Sequence, residues 1–150
     1  MRTLYNPNDT AEIQQRLAAL TSDRQPLWGK MNVGQAMAHC VVGLESATGE
    51  REIPRQLIGR WLGPLVKPLV LGNDKPMQRN SPTAPDFRIA GHRDFAVERA
   101  RLAALIERFA TAGPGGCTTR PHAFFGPMTP QEWAILMYKH LDHHLRQFNG

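Results

Sequence analysis

Long apolar runs are missing from this chain of 150 residues, and their absence excludes a helix that spans a bilayer, which needs about 18–20 such residues. Residues 1–9 also lack the apolar segment of a secretory signal. Cysteine is scarce: Cys40 falls in a predicted helix and Cys117 in a glycine-rich loop, too few for a disulfide framework. A reducing cytoplasm is therefore the expected compartment. Alternating strand patterns, internal repeats and low-complexity tracts are absent as well. What remains is 41% hydrophobic and 21% charged, the balance of one ordinary globular domain over residues 1–150.

Acidic residues are the minority, 13 against 18 basic, for a net charge of +5 and a pI near 9.8. Clustered basic charge would suggest nucleic acid. Here Arg51, Arg55, Arg60, Lys67, Lys75, Arg79, Arg88 and Arg93 are broken up by prolines and apolar residues. No zinc finger or aromatic-interleaved RNA motif accompanies them, so nucleic acid is not an expected partner. An electropositive mouth for an acidic small molecule is the better use of the excess.

Helical signals dominate. Asn8-Asp9-Thr10 before Glu12 predicts a first helix over about 10–22, with Ile13, Leu17 and Leu20 on one face. Asn32 with Gln35 opens a second over 33–48, closed by Gly49, with Val33, Ala36, Met37, Cys40, Val41 and Leu44 apolar. Six prolines (Pro54, Pro64, Pro68, Pro76, Pro82, Pro85) punctuate residues 49–93. A short helix over about 54–63, resuming towards 71, contributes Leu57, Ile58, Trp61 and Leu62; residues 72–91 read as a surface loop, lid or mobile segment. A helix over 94–112 offers Phe95, Val97, Leu102, Leu105, Ile106 and Phe109 and stops at Gly113-Pro-Gly-Gly116. Thr129-Pro130-Gln131-Glu132 is a capping box with proline at the first helical position, starting a final helix to about 148. The pattern predicts an all-α antiparallel four-helix bundle with a Pro-rich insertion containing a short extra helix.

The last helix holds the most informative positions. At about 100° per residue, Trp133, Met137, His140, His144 and Phe148 share one apolar stripe, with His143 at its edge. Buried imidazoles need partners for both ring nitrogens, and leaving such groups unsatisfied costs about 1–3 kcal/mol each. Two imidazoles one turn apart are also the usual way for a helix to offer two ligands to one metal. His39 lies at the flank of the second helix's apolar face, and Gly43 one turn on leaves room beside it. His39, His140 and His144 are thus a candidate three-histidine site with an open position. No glutamate follows His140, so the zincin arrangement is absent.

The segments Met31-Asn-Val-Gly-Gln-Ala-Met-Ala-His39-Cys, Phe124-Phe-Gly-Pro-Met-Thr-Pro-Gln-Glu-Trp133 and His140-Leu-Asp-His-His144-Leu-Arg-Gln resemble the DinB/YfiT-like superfamily, in particular a branch of bacterial proteins of this size. The resemblance spans nearly the whole chain. It implies a four-helix bundle and a metal triad of one histidine on the second helix and two on the last, positions matched by His39, His140 and His144. It further implies chemistry of the thiol S-transferase or isomerase kind with a low-molecular-weight thiol. The long segment 54–91 departs from a plain bundle connection and would reshape the site mouth.

Neutral imidazoles suit zinc, nickel, copper and ferrous iron, so a divalent transition metal is expected without its identity. Thiol transfer needs little beyond a metal-held thiolate, whereas hydrolysis needs a proton-handling group. His143 and His122 are the nearest candidates, and Gln35 or Gln147 could orient a ligand. Cys40 lies on the apolar face and reads as a small core residue. The leading expectation is a metal-dependent transferase or hydrolase acting on a small molecule, and a homodimer is compatible with the architecture. The alternatives are a non-catalytic helical stress-response or interaction protein whose histidines satisfy one another without metal, and a partner-binding module built on 54–91.

Overall fold

In the computed structural model, the helices that open at Asn6, Asn32, Asp94 and Thr129 begin where a side chain takes up a free backbone N–H group. The structure describes residues 1–81 and 84–150; Pro82 and Thr83, within the predicted loop, lie outside the described residues. Five α-helices are described: α1 (Pro7–Ala19), α2 (Val33–Thr48), α3 (Leu57–Leu71), α4 (Phe95–Ala112) and α5 (Pro130–Gln147). Short 3₁₀ turns occur at Pro85–Phe87 and Gly113–Gly116. No strand occurs among the described residues, and a lone bridge joins His122 to Gly126.

Two capping boxes fix α2 and α5. Asn32 Oδ1 accepts from Gln35 N at 2.9 Å while Gln35 Oε1 accepts from Asn32 N at 3.0 Å. Thr129 and Glu132 do the same for α5, at 3.1 and 2.8 Å. Each cap is worth about 1 kcal/mol. Gly49 ends α2 at φ +82°, a conformation that penalises a side chain. The predicted start of α1 is corrected: Asn6 is the cap, accepting from Asn8 N at 2.9 Å, with Pro7 at the first helical position. Asp9 instead accepts from Thr3 N at 2.9 Å and Arg2 Nε at 3.0 Å, tying the N-terminal segment down.

One core joins α1, α2, α4 and α5, with Ile13, Leu17, Met37, Leu44, Leu102, Ile106, Phe109, Trp133 and Phe148 almost fully enclosed. The expected single stripe on α5 proves too narrow. α1 and α2 both pack against α5, and α3 touches it too, so twelve of its eighteen residues are buried. The charged ones among them are paired, as burial requires, whereas Trp133 Nε1 and the Tyr138 hydroxyl have no hydrogen-bond partner among the described residues. Lys139 Nζ donates to the carbonyls of Val70 (2.5 Å) and Asn73 (2.9 Å), and Asp142 pairs with Arg16 and Arg146, both at 2.8 Å.

Residues 54–71 depart most from expectation. α3 starts at Leu57 and runs unbroken through Pro64 and Pro68 to Leu71. Leu57, Ile58, Trp61 and Leu62 face solvent rather than the core, as does Val97 on α4. The inward face of α3 is instead Gly59 and Gly63, with Leu71 buried in the core at its C-terminal end. A Cβ on either would stand 2.6 or 2.2 Å from the carbonyl oxygen of Phe124, so only glycine permits this approach. Residues 85–91 lie against α2, where Gln35 Nε2 donates to Gly91 O at 3.0 Å.

Candidate metal centre

His39, His140 and His144 converge. α2 supplies the first; α5 supplies the other two from consecutive turns, since residues four apart share a helix face. Ring centroids are 4.8 Å apart for His39 and His140, 4.7 Å for His39 and His144, and 4.9 Å for His140 and His144. One nitrogen from each ring can be chosen so that all three lie within 4.8 Å of one another. His39 and His144 are buried, and His140 keeps part of its surface open.

Two of the three tautomers are set by neighbours. His39 Nδ1 stands 2.8 Å from the carbonyl oxygen of Phe87, which can only accept, so Nδ1 carries the proton and Nε2 the lone pair. His144 Nδ1 stands 2.8 Å from Gln147 Oε1, and Gln147 Nε2 donates to Trp28 O at 2.6 Å. That network assigns the amide orientation and leaves the lone pair of His144 on Nε2 as well. His39 Nε2 lies 2.8 Å from His140 Nε2. Two lone pairs repel at that separation, so a proton or a cation must be shared between them.

Burial holds all three imidazoles neutral. Loss of solvation is the largest cause, followed for His140 and His144 by the neighbouring rings; His144 is pushed down to about 3 and His140 well below its ordinary value. His39 is lowered for the same first reason, although its bond to Phe87 works the other way. Neutral imidazole is the form that ligates a metal. At metal–nitrogen bonds of about 2.0–2.1 Å, tetrahedral ligands stand roughly 3.4 Å apart, so the close pair would need to open by about half an ångström. The donor set fits a divalent transition metal.

The other candidates divide. Gln147 does orient a triad imidazole. His143 sits beside the cluster, its ring edge-on to His144 at 5.0 Å and to Trp28 at 5.4 Å, and burial again lowers its basicity. His122 is engaged in forming a loop: its Nδ1 accepts from Phe124 N and Phe125 N, both at 3.1 Å, and its ring stacks on Phe125. Burial, and then Arg55, push it down to about 4. Gln35 does not reach the imidazoles; its amide is used by the α2 cap and the Gly91 carbonyl. Cys40 is enclosed in the core, where burial pushes its thiol up, against any role as a nucleophile.

Gly43 serves a purpose beyond the one expected. A Cβ there would stand 3.0 Å from His140 Nδ1 and 3.1 Å from its Cε1, so the missing side chain admits the ring of His140 rather than that of His39. The carbonyls of Phe87 and Trp28 had no sequence signal, because any residue provides one. Arg79, whose guanidinium lies 4.1 Å over the Trp28 ring, was likewise unmarked within the scattered basic residues.

No curated protein and no solved structure matches this chain. A family model described as protein of unknown function (DUF1569) matches residues 3–150. With that match running through both histidine-bearing helices, the chain belongs to the DUF1569 family.

Proposed function

We propose that this protein is a metal-dependent enzyme of the DinB/YfiT-like kind, an antiparallel four-helix bundle that acts on a small molecule. His39, His140 and His144 would hold zinc, nickel or iron, and the reaction would be thiol transfer or hydrolysis. The observation that carries this reading is the pair of ring nitrogens 2.8 Å apart beside a third imidazole whose outer nitrogen, like that of His39, is already occupied. Such outer partners fix ring orientation and raise ligand basicity. Once bound, the ion supplies an open position that acidifies a water or a thiol. Around it, Phe87 O and Gln147 keep two lone pairs aimed inward, and Gly43 admits the third ring. His143, beside His144, is the group placed to hold or pass a proton. An anionic low-molecular-weight thiol suits the cationic surface, and the cytoplasm is the matching compartment.

The 2.8 Å contact also favours a second reading, in which His140 donates Nε2–H to His39 and the cluster is a structural hydrogen-bond network without metal. Elemental analysis of protein purified without chelator separates the two. One divalent metal per chain, lost in H140A and H144A with helicity retained, supports the enzyme. Failure of the chain to take up zinc, nickel or iron on addition, with unchanged melting, supports the network.

A further inference from the structure

The outward face of α3 is built like an interface. Leu57, Ile58, Trp61, Leu62, Leu65 and Leu69 are exposed by 76, 60, 83, 44, 69 and 72%. At 100° per residue they cover an arc of about 140°, and the prolines at 64 and 68 extend it without adding charge. The only charged residues on the helix are Arg60 and Lys67, both outside that arc. Lys67 is engaged by Glu132 at 2.9 Å and by the Pro127 carbonyl at 3.0 Å. The opposite face, with Gly59 and Gly63 against the Phe124 backbone, fixes the helix with its large side chains outward.

We propose that α3 is a self-association face, through which two copies of this chain pair about a twofold axis with Trp61 and Leu65 near its centre. A free large side chain presents up to about 150–250 Å², so these six expose on the order of 800 Å², the area each partner buries in a standard-size interface. Depletion of charge with a central tryptophan is the composition of an interface core. A twofold pairing covers the same patch on both chains at once and closes on itself. A lipid surface is the poorer match: helices that lie in a bilayer interface carry several Lys or Arg on their polar face, whereas α3 carries only Arg60 and Lys67, the latter engaged by Glu132, and turns two glycines towards the protein.

The test is sedimentation equilibrium of the full chain from low to about 100 µM, within the range in which interfaces of this size associate. Twice the 16.8 kDa chain mass is expected. L65E and W61E, each facing its own copy across the axis, should weaken the association at least about thirty-fold, as loss of a central hot spot does. Their helicity and the melting of the monomer should be unchanged, because both side chains are solvent-exposed within one chain. V97E, exposed on α4, should leave the dimer intact. Should either charged variant fail to fold, dilution of the wild type supplies the readout: emission from Trp61 should shift red as the dimer dissociates, and W61F should remove that shift. A single 16.8 kDa species at every concentration overturns the proposal, as does a dimer that L65E and W61E leave intact. A monomer that binds phosphatidylcholine–phosphatidylglycerol vesicles through this same face also overturns it, in favour of lipid.

Discussion

Gly43→Ala separates the stability of the helix from the integrity of the histidine cluster. Replacing an interior helical glycine by alanine gains about 0.5–1 kcal/mol in backbone terms. Against that, the new Cβ would stand 3.0 Å from His140 Nδ1, several tenths of an ångström inside ordinary contact. The ring has nowhere easy to go, because its other nitrogen already lies 2.8 Å from His39 Nε2. Overpacking of this kind costs about 1–3 kcal/mol, so the net change in metal-free stability should be a loss of no more than about 2.5 kcal/mol. Displacing a ligand by a few tenths of an ångström should be felt much more in binding, by about 10- to 100-fold, the range seen when groups behind a metal ligand are removed. Urea unfolding of metal-free protein gives the first quantity and zinc titration against a chromophoric chelator the second. Wild-type zinc affinity in G43A, with His140 displaced in its NMR spectrum, would refute the reasoning.

Removing the partner of His144 by Gln147→Ala should cost about 1–3 kcal/mol in unfolding free energy, since His144 Nδ1 and the Trp28 carbonyl each lose a bond. Denaturant midpoints measure it, and an unchanged midpoint would dismiss the pairing. Metal-free protein should also lose stability on acidification: the folded value of His144, about 3, lies below the unfolded 6.5, so the unfolded chain binds more protons between them and stability rises with pH there. His144 alone should account for about 2 kcal/mol between pH 7.5 and 5, and a urea midpoint flat across that interval would contradict its burial in neutral form. Gly63→Ala would place a Cβ 2.2 Å from Phe124 O, so α3 must lift away; faster hydrogen exchange confined to α3 and residues 122–126 is the expected result.

Much of the helical framework was legible because it is written locally. Asn32 with Gln35, Thr129 with Glu132, and Gly49 act within one turn, and the boundaries they predict for α2 and α5 agree with those observed to within a residue at each end. The i, i+4 spacing likewise brought His140 and His144 together, while His39, at the flank of its apolar face, was marked out by the family resemblance. Errors came where a distant surface decides. α1 begins at Pro7, capped by Asn6, because Pro7 is preset for a helix while Asp9 is drawn to Thr3 and Arg2. Leu57, Ile58 and Trp61 look like core residues by type; which side of α3 turns inward is settled by the closeness of the Phe124 backbone, which only glycine tolerates. Gln147 offers its Oε1 to His144, whereas the Oε1 of Gln35 is taken by the Asn32 N–H and its Nε2 by the Gly91 carbonyl, a difference that tertiary neighbours decide.

His39 is oriented by the peptide oxygen of residue 87, and Gln147, which orients His144, is itself anchored by that of residue 28. Peptide oxygens are common to all twenty amino acids. The loops before α2 and before α4 can therefore exchange their side chains, and with them the shape and charge offered to an incoming molecule, while the imidazoles keep their aim. Relatives with quite different loops could then share one ion-binding geometry and still differ in what they accept.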